Sequence, residues 1–215
     1  GGGRVWTGRQ AKQRGLIGLA MGMENGSPLA GKLENLAFFR DRGISYITLT
    51  HALSNHISDS SYDDNRPWNG LSPFGREVVA GMNRQGILVD VSHVSDAAFY
   101  QVLELSRVPV IASHSSARHF TPGWERNMSD EMIRALAAQG GLIMINFGSS
   151  FLTEPAWQWF ERMMAARKAF LEENGFDENS SEVEQFQKEY RETHLFPYAT
   201  LDDLVGWILR SVDFD

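Results

Sequence analysis

Cysteine is absent from the 215 residues, which excludes disulfides, a thiolate nucleophile and cysteine-ligated zinc together. No stretch approaches the roughly 18 consecutive apolar residues of a membrane-spanning helix. The glycine-rich, basic segment 1–14 lacks the apolar centre of a secretory signal. Compartment therefore stays unassigned: a soluble domain is expected, cytoplasmic, or exported if a signal or anchor lies upstream. Positive charge is sparse as well. There are 20 Lys and Arg against 27 Asp and Glu, a formal net charge of -7, and no basic cluster stands out, which argues against nucleic acid as a partner. With 42% hydrophobic residues the chain can bury one sizeable core, yet it is shorter than the roughly 250 residues of a complete eight-stranded α/β barrel.

What is present is an alternation of short apolar runs with helical patterns, the mark of repeated βα units and a mainly parallel sheet. Strands are predicted near Leu16–Met23, Ile44–Thr50, Ile87–Ser92, Val108–Ser113 and Leu142–Phe147. Helices are predicted over Leu29–Arg40, stopped by Gly43; over Pro73–Gln85, capped by Ser72; after Ser95, closing near Arg107; and after Ser129, ending by Gly140. From Pro155 to about residue 210 three helices follow, read as a helical excursion within a single domain spanning 1–215. The charged segment from Glu172 to Glu192 reads as a solvated face, with a lid or interface as the other reading. Asn55 to Asn69 carries no periodicity and is read as a long loop of the kind that often bears function.

The C-terminal ends of parallel strands are where active sites of such folds assemble. Glu24, His51, His93 and His114 each follow a predicted strand, so three of the six histidines share one register. Imidazole nitrogens and carboxylate oxygens suit zinc, a carboxylate can bridge two ions, and zinc assists hydrolysis as a Lewis acid. Asp90, inside the apolar Val89-Asp90-Val91, either orients a metal-binding histidine or makes a structural hydrogen bond. Arg126 hangs over the same face and could hold a carboxylate bidentately; from position alone, a salt bridge or plain surface exposure competes with that role. His56, His119 and His194 lie away from strand ends, and Asp213 and Asp215 cannot be told apart on residue logic.

The stretches Gly22-Met23-Glu24-Asn25-Gly26, Leu49-Thr50-His51, Leu71-Ser72-Pro73-Phe74-Gly75, Asp90-Val91-Ser92-His93-Val94-Ser95 and Ser113-His114-Ser115-Ser116-Ala117 resemble the membrane dipeptidase (renal dipeptidase-like) family. Arg126-Asn127, Ile145-Asn146-Phe147 and Asp213-Phe214-Asp215 are similar to its later landmarks. The resemblance implies a TIM-like (β/α)8 barrel, here a partial set of about five strands, and hydrolysis of dipeptides at a centre of two zinc ions. It implies Glu24 as the bridging carboxylate and His93 and His114 as the histidines of one zinc. By the same resemblance His51 contacts the substrate carbonyl, Arg126 the substrate carboxylate, and Asp213 handles the proton. A homodimer stays open.

Two departures accompany it. The family's opening His-x-Asp pair, which completes the other zinc site, occurs nowhere in the chain, and Asp213 follows a helix directly with no glycine after Asp215. These suggest a barrel incomplete at its N-terminus and near its C-terminus. They keep two alternatives in view: another amidohydrolase-type metal hydrolase, or a catalytically inactive dipeptidase-like binding protein. A third reading makes the histidines ordinary hydrogen-bonding residues of an α/β domain.

Overall fold

The computed structural model describes residues 20–212. Five strands, β1 (Met21–Glu24), β2 (Ile44–Thr48), β3 (Leu88–Asp90), β4 (Ile111–Ser115) and β5 (Leu142–Ile145), form one sheet in chain order, each pairing parallel to the next. The part of the first predicted strand before Ala20 lies outside the described residues. Helices α1 (Glu34–Arg40), α2 (Pro73–Gln85), α3 (Asp96–Leu105) and α4 (Asp130–Ala138) make the crossovers and pack successively against one another. In a sheet of sequential parallel strands, crossovers of one hand leave the helices along one side.

Where the helices cover the sheet, its apolar residues are buried. Ile47, Leu49, Val89, Val91, Val110 and Ala112 meet Leu36 of α1, Val78, Val79 and Met82 of α2, Phe99 and Val102 of α3, and Ile133 and Leu136 of α4 in one buried cluster. Three helices start on a serine whose hydroxyl accepts from the helix's own first turn: Ser72 from the Gly75 amide (2.8 Å), Ser95 from Ala98 (3.2 Å) and Ser129 from Met132 (3.3 Å).

Three strands end two residues earlier than predicted, β2 at Thr48, β3 at Asp90 and β5 at Ile145, and two other boundaries need a larger correction. The helix predicted over Leu29–Arg40 is broken: Ser27–Leu29 forms a 3-10 turn, Ala30 (φ 49°) and Gly31 (φ 70°) turn left-handed, and α1 begins only at Glu34. The turn buries Leu29 completely, and Gly31 reaches its conformation without steric cost. The strand predicted over Val108–Ser113 starts instead at Ile111 and runs to Ser115. Pro109, lacking an amide hydrogen, cannot join the ladder, so pairing shifts onward and His114 falls inside β4.

The loop between β2 and α2 is pinned by side chains. Asn55 Oδ1 accepts from the amides of Ile57 (2.8 Å) and Ser58 (3.0 Å) while its Nδ2 donates to Leu49 O (2.9 Å). Buried Asp59 accepts from the amides of Trp68 (3.2 Å) and Gly70 (2.8 Å). Gly75 lets α2 press on this loop, since a Cβ there would lie 2.0 Å from Ile57 O. After β5 come α5 (Ser149–Leu152), α6 (Glu154–Asn174), α7 (Ser181–Thr193) and α8 (Leu201–Val212). α6 and α7 pair through Phe170 stacked on Phe186, ring centroids 4.6 Å apart. Among the described residues no helix is long and apolar enough to cross a membrane.

Candidate metal centre

The sheet delivers its ionisable residues to one place. Glu24 closes β1, and its Oε1 lies 3.0 Å from His114 Nε2, 3.1 Å from His93 Nε2 and 3.5 Å from His51 Nε2. His93 Nε2 and His114 Nε2 are 2.8 Å apart. Ligand atoms of Glu24, His51 and His93 all fall within 4.8 Å of one another, and His114 Nε2 is nearer Glu24 Oε1 than His51 Nε2 is. All four sequence-selected strand-end residues therefore meet. The burial is graded: the His93 side chain is 7% exposed, His114 29%, His51 47% and Glu24 51%, so the cluster has a closed side and an open one.

His93 is placed by an unusual backbone. β3 ends at Asp90, whose Oδ1 accepts from the Ser92 amide (3.0 Å), a turn made by an aspartate side chain. His93 itself adopts φ 69°, the left-handed region. Its carbonyl accepts from the Ser61 amide (2.8 Å), tying it to the β2–α2 loop. Burial, then the Arg126 charge and the neighbouring His114 and His51, push its pKa down to about 2. His114 is also lowered, by burial and then Arg126, with Asp90 and Glu24 opposing. Both rings are thus neutral near pH 7, the state a metal ligand requires.

The tautomer of His114 follows from its neighbours. Asp90, fully buried, accepts at Oδ2 from Thr48 Oγ1 and Ser113 Oγ (both 2.5 Å) and at Oδ1 from the Ser92 and Ser113 amides (3.0 and 2.9 Å). An ionised carboxylate only accepts, so the Ser113 hydroxyl proton is committed to Asp90. The 2.7 Å contact between Ser113 Oγ and His114 Nδ1 is then donated by the ring, leaving the Nε2 lone pair for the centre. This is the indirect form of carboxylate support for a metal-bound histidine. His93 Nδ1, in contrast, is buried without a hydrogen-bond partner among the described residues.

These donors fit a zinc-like ion. Tetrahedral bonds of roughly 2.0–2.1 Å separate ligand atoms by roughly 3.3 Å, so nitrogen and oxygen atoms 2.8–3.1 Å apart would move apart by a few tenths of an ångström. The donor set, imidazole nitrogen with carboxylate oxygen, is the one zinc accepts.

Arg126 is neither on the surface nor salt-bridged. It is 3% exposed, its Nη1 donates to Ser115 Oγ (2.9 Å) and its Nη2 to His114 O (2.7 Å). Tyr62 lies beside the guanidinium, whose charge opposes the rise that burial gives the Tyr62 pKa. Nε has no partner, and no carboxylate lies within 4.0 Å, among the described residues. Asp213 and Asp215 lie outside the described residues. His56, His119 and His194 have local partners instead: His56 Nε2 accepts from the Gly31 amide (3.2 Å), His119 meets Phe120 edge-on, and His194 stacks on Tyr190 at 4.2 Å. Sequence reasoning missed Ser113 and Tyr62. Ser113 was within reach, since a serine beside a strand histidine across from a buried aspartate can relay; Tyr62 sits in the aperiodic loop and gave no signal.

Comparison with known proteins points one way. The model of the membrane dipeptidase family, peptidase family M19, matches residues 7–203. An uncharacterised dipeptidase of Schizosaccharomyces pombe is 37% identical over 146 residues, covering 67% of this chain and 35% of its own length. The dipeptidase tcpJ of Claviceps purpurea is 42% identical over 127 residues, 59% of this chain and 30% of its own. The chain thus spans about a third of the length of these curated relatives. Among solved structures, the probable dipeptidase PvdM from Pseudomonas aeruginosa superposes with a TM-score of 0.74 at 28% identity, over 95% of this chain and 56% of that one. A metallopeptidase from Rhodobacter sphaeroides, liganded with a phosphinate mimic of the dipeptide L-Ala-D-Ala, gives 0.60 at 28% identity, over 68% and 42%. With matched residues running through every strand and through Glu24, His93 and His114, the chain belongs to the membrane dipeptidase family, M19.

Proposed function

We propose that this chain forms part of a zinc-dependent dipeptidase in which Glu24, His93 and His114 hold one zinc ion. The observation that carries the reading is the approach of both Nε2 atoms to Glu24 Oε1 within 3.1 Å, with His114 held in the ligating tautomer by Ser113 and Asp90. Zinc at such a site supplies Lewis acidity toward the scissile carbonyl and an activated water near neutral pH. Glu24 makes its approaches through Oε1; as the family's bridging carboxylate it would also help to hold a second ion. The five parallel strands are assigned to a closed (β/α)8 barrel. Apolar side chains exposed on both edge strands, Met21 on β1 and Leu142 and Met144 on β5, support further units flanking them.

The chain's own residues do the positioning. Arg126, a buried cation without an anionic partner among the described residues, holds the free carboxylate of the dipeptide, the pairing that offsets the cost of burying its charge. That anchoring sets the scissile carbonyl over the cluster, where His51, on the open side, donates to the carbonyl oxygen as negative charge develops. Asp213 is assigned the proton transfer to the leaving amine on family resemblance alone. Support for dipeptides comes also from the Rhodobacter relative, whose structure holds a dipeptide mimic.

A second reading makes His51 a ligand, favoured by its place with Glu24 and His93 inside 4.8 Å. Metal analysis of His51→Ala separates the two: retained zinc with lost turnover fits a substrate contact, and lost zinc fits a ligand. The experiment for the function is hydrolysis by zinc-loaded protein of dipeptides and of the same dipeptides amidated at the C-terminus. Hydrolysis should fall by at least a hundredfold on amidation. Absence of bound zinc, or equal rates on both substrates, would overturn the proposal.

A further inference from the structure

Next to the metal cluster lies a cavity of about 260 Å³ lined by Tyr62, Trp124, Phe160, Glu161 and Met164. It is smaller than the roughly 300–1,000 Å³ of pockets that enclose a whole small ligand, so it suits one side chain. Tyr62 is shared between cavity and centre: its ring centroid is 5.8 Å from that of His93, it meets Trp124 at 6.1 Å, and the Arg126 charge acts on its hydroxyl. Trp124 is fixed from behind by Phe151 (4.9 Å) and Trp157 (6.1 Å). The far wall is one face of α6, where Phe160 and Met164 stand four residues apart on one side of the helix and keep 36% and 40% of their surface exposed. Exposed apolar residues facing an aromatic wall mark a surface that gains by being covered.

We infer that this cavity receives the side chain of the substrate's C-terminal residue and selects large apolar ones. The inference rests on the assignment of the substrate carboxylate to Arg126. A carboxylate held there places the adjoining Cα, and the side chain it bears, beside Tyr62 and hence at the cavity. The one charged residue of the lining, Glu161, is acidic and disfavours an acidic substrate side chain at the same position.

The test compares Gly-Gly, Gly-Leu, Gly-Phe and Gly-Asp as substrates of the zinc-loaded protein. Burial of one methylene is worth about fourfold in binding, so kcat/KM should rise roughly tenfold or more from Gly-Gly to Gly-Leu and Gly-Phe, and Gly-Asp should gain nothing. Phe160→Ala and Met164→Ala, at half-exposed positions of α6, should each cut the Gly-Phe to Gly-Gly ratio at least fivefold, and Met164→Trp, which fills the space, should do the same. An unchanged ratio in all three variants overturns the cavity while leaving dipeptide hydrolysis intact. If no dipeptide is hydrolysed, calorimetric titration with Gly-Phe and Gly-Gly reads the same ratio as affinities, and equal binding overturns the inference independently of turnover.

Discussion

Asp90→Asn isolates what the buried carboxylate does for the centre without changing its shape. In the native arrangement Oδ2 takes protons from both Thr48 and Ser113, and Ser113 can therefore only accept from His114 Nδ1. An asparagine must keep its carbonyl toward the Ser92 and Ser113 amides, which donate to Oδ1 at 3.0 and 2.9 Å. Its amide group then points at the two hydroxyls and reverses them into acceptors. Ser113 is freed to donate to His114 Nδ1, and the ring proton moves to Nε2, where it blocks the lone pair aimed at Glu24. Zinc affinity should fall about tenfold to a hundredfold, the usual effect of losing such support. All four hydrogen bonds that Asp90 accepts lose their charge assistance, which costs about 2–4 kcal/mol of stability, or about 1–2 M in the urea midpoint for a slope near 2 kcal/mol per molar. Zinc affinity is read by competition with a chromophoric chelator, and stability by urea denaturation of the metal-free protein. Thr48→Val supplies the control, because it removes one Oδ2 donor without touching the relay and should lower stability alone. If Asp90→Asn bound zinc as tightly as the unmodified protein while losing stability, the tautomer argument would be refuted.

Replacing His93 or His114 by alanine should abolish zinc stoichiometry and turnover together, read by metal analysis and dipeptide hydrolysis; retention of zinc by either variant would remove that residue from the ligand set. In the metal-free protein His93 is held neutral, its pKa pushed from 6.5 to about 2, so below about pH 6.5 the unfolded chain binds the extra proton and the native state loses stability toward acid. The urea midpoint should drop between pH 7.5 and pH 5, and His93→Gln should flatten that dependence; a midpoint that rises toward pH 5 would contradict the burial argument. Gly75→Ala places a methyl 2.0 Å from Ile57 O and should cost about 1–3 kcal/mol through overpacking, seen as a lowered Tm. An unaffected Tm would mean that α2 and the loop after β2 do not press together.

Strand ends and serine caps were legible because each is written in a few adjacent residues: an apolar run stopping at Glu24, or a serine ahead of Pro73 or Asp130. Where long-range packing decided, local pattern failed. Leu29 fits a helical stripe with Leu33 and Leu36, yet burying it fully required the Ala30–Gly31 turn. Arg126 could not be told from a surface cation, since its burial depends on Ser115 and the His114 carbonyl of a strand 11 residues or more away. Tyr62 reaches Arg126 only because Asn55 and Asp59 fold an aperiodic loop through backbone hydrogen bonds, and no period of side chains records such a path. The relay from Asp90 through Ser113 to His114 spans two strands, so it needed their parallel register as well as the residues themselves.

The left-handed backbone at His93 means that the residue the proposed zinc site needs is not the one the backbone favours. A residue other than glycine there costs on the order of 1 kcal/mol or more, and the buried Nδ1, without a partner among the described residues, adds to it. Glycine adopts that conformation without the Cβ penalty. Any selection for thermal tolerance alone, whether in the laboratory or by automated redesign, would therefore be drawn to replace His93 early and would erase the proposed metal centre while making a sturdier protein.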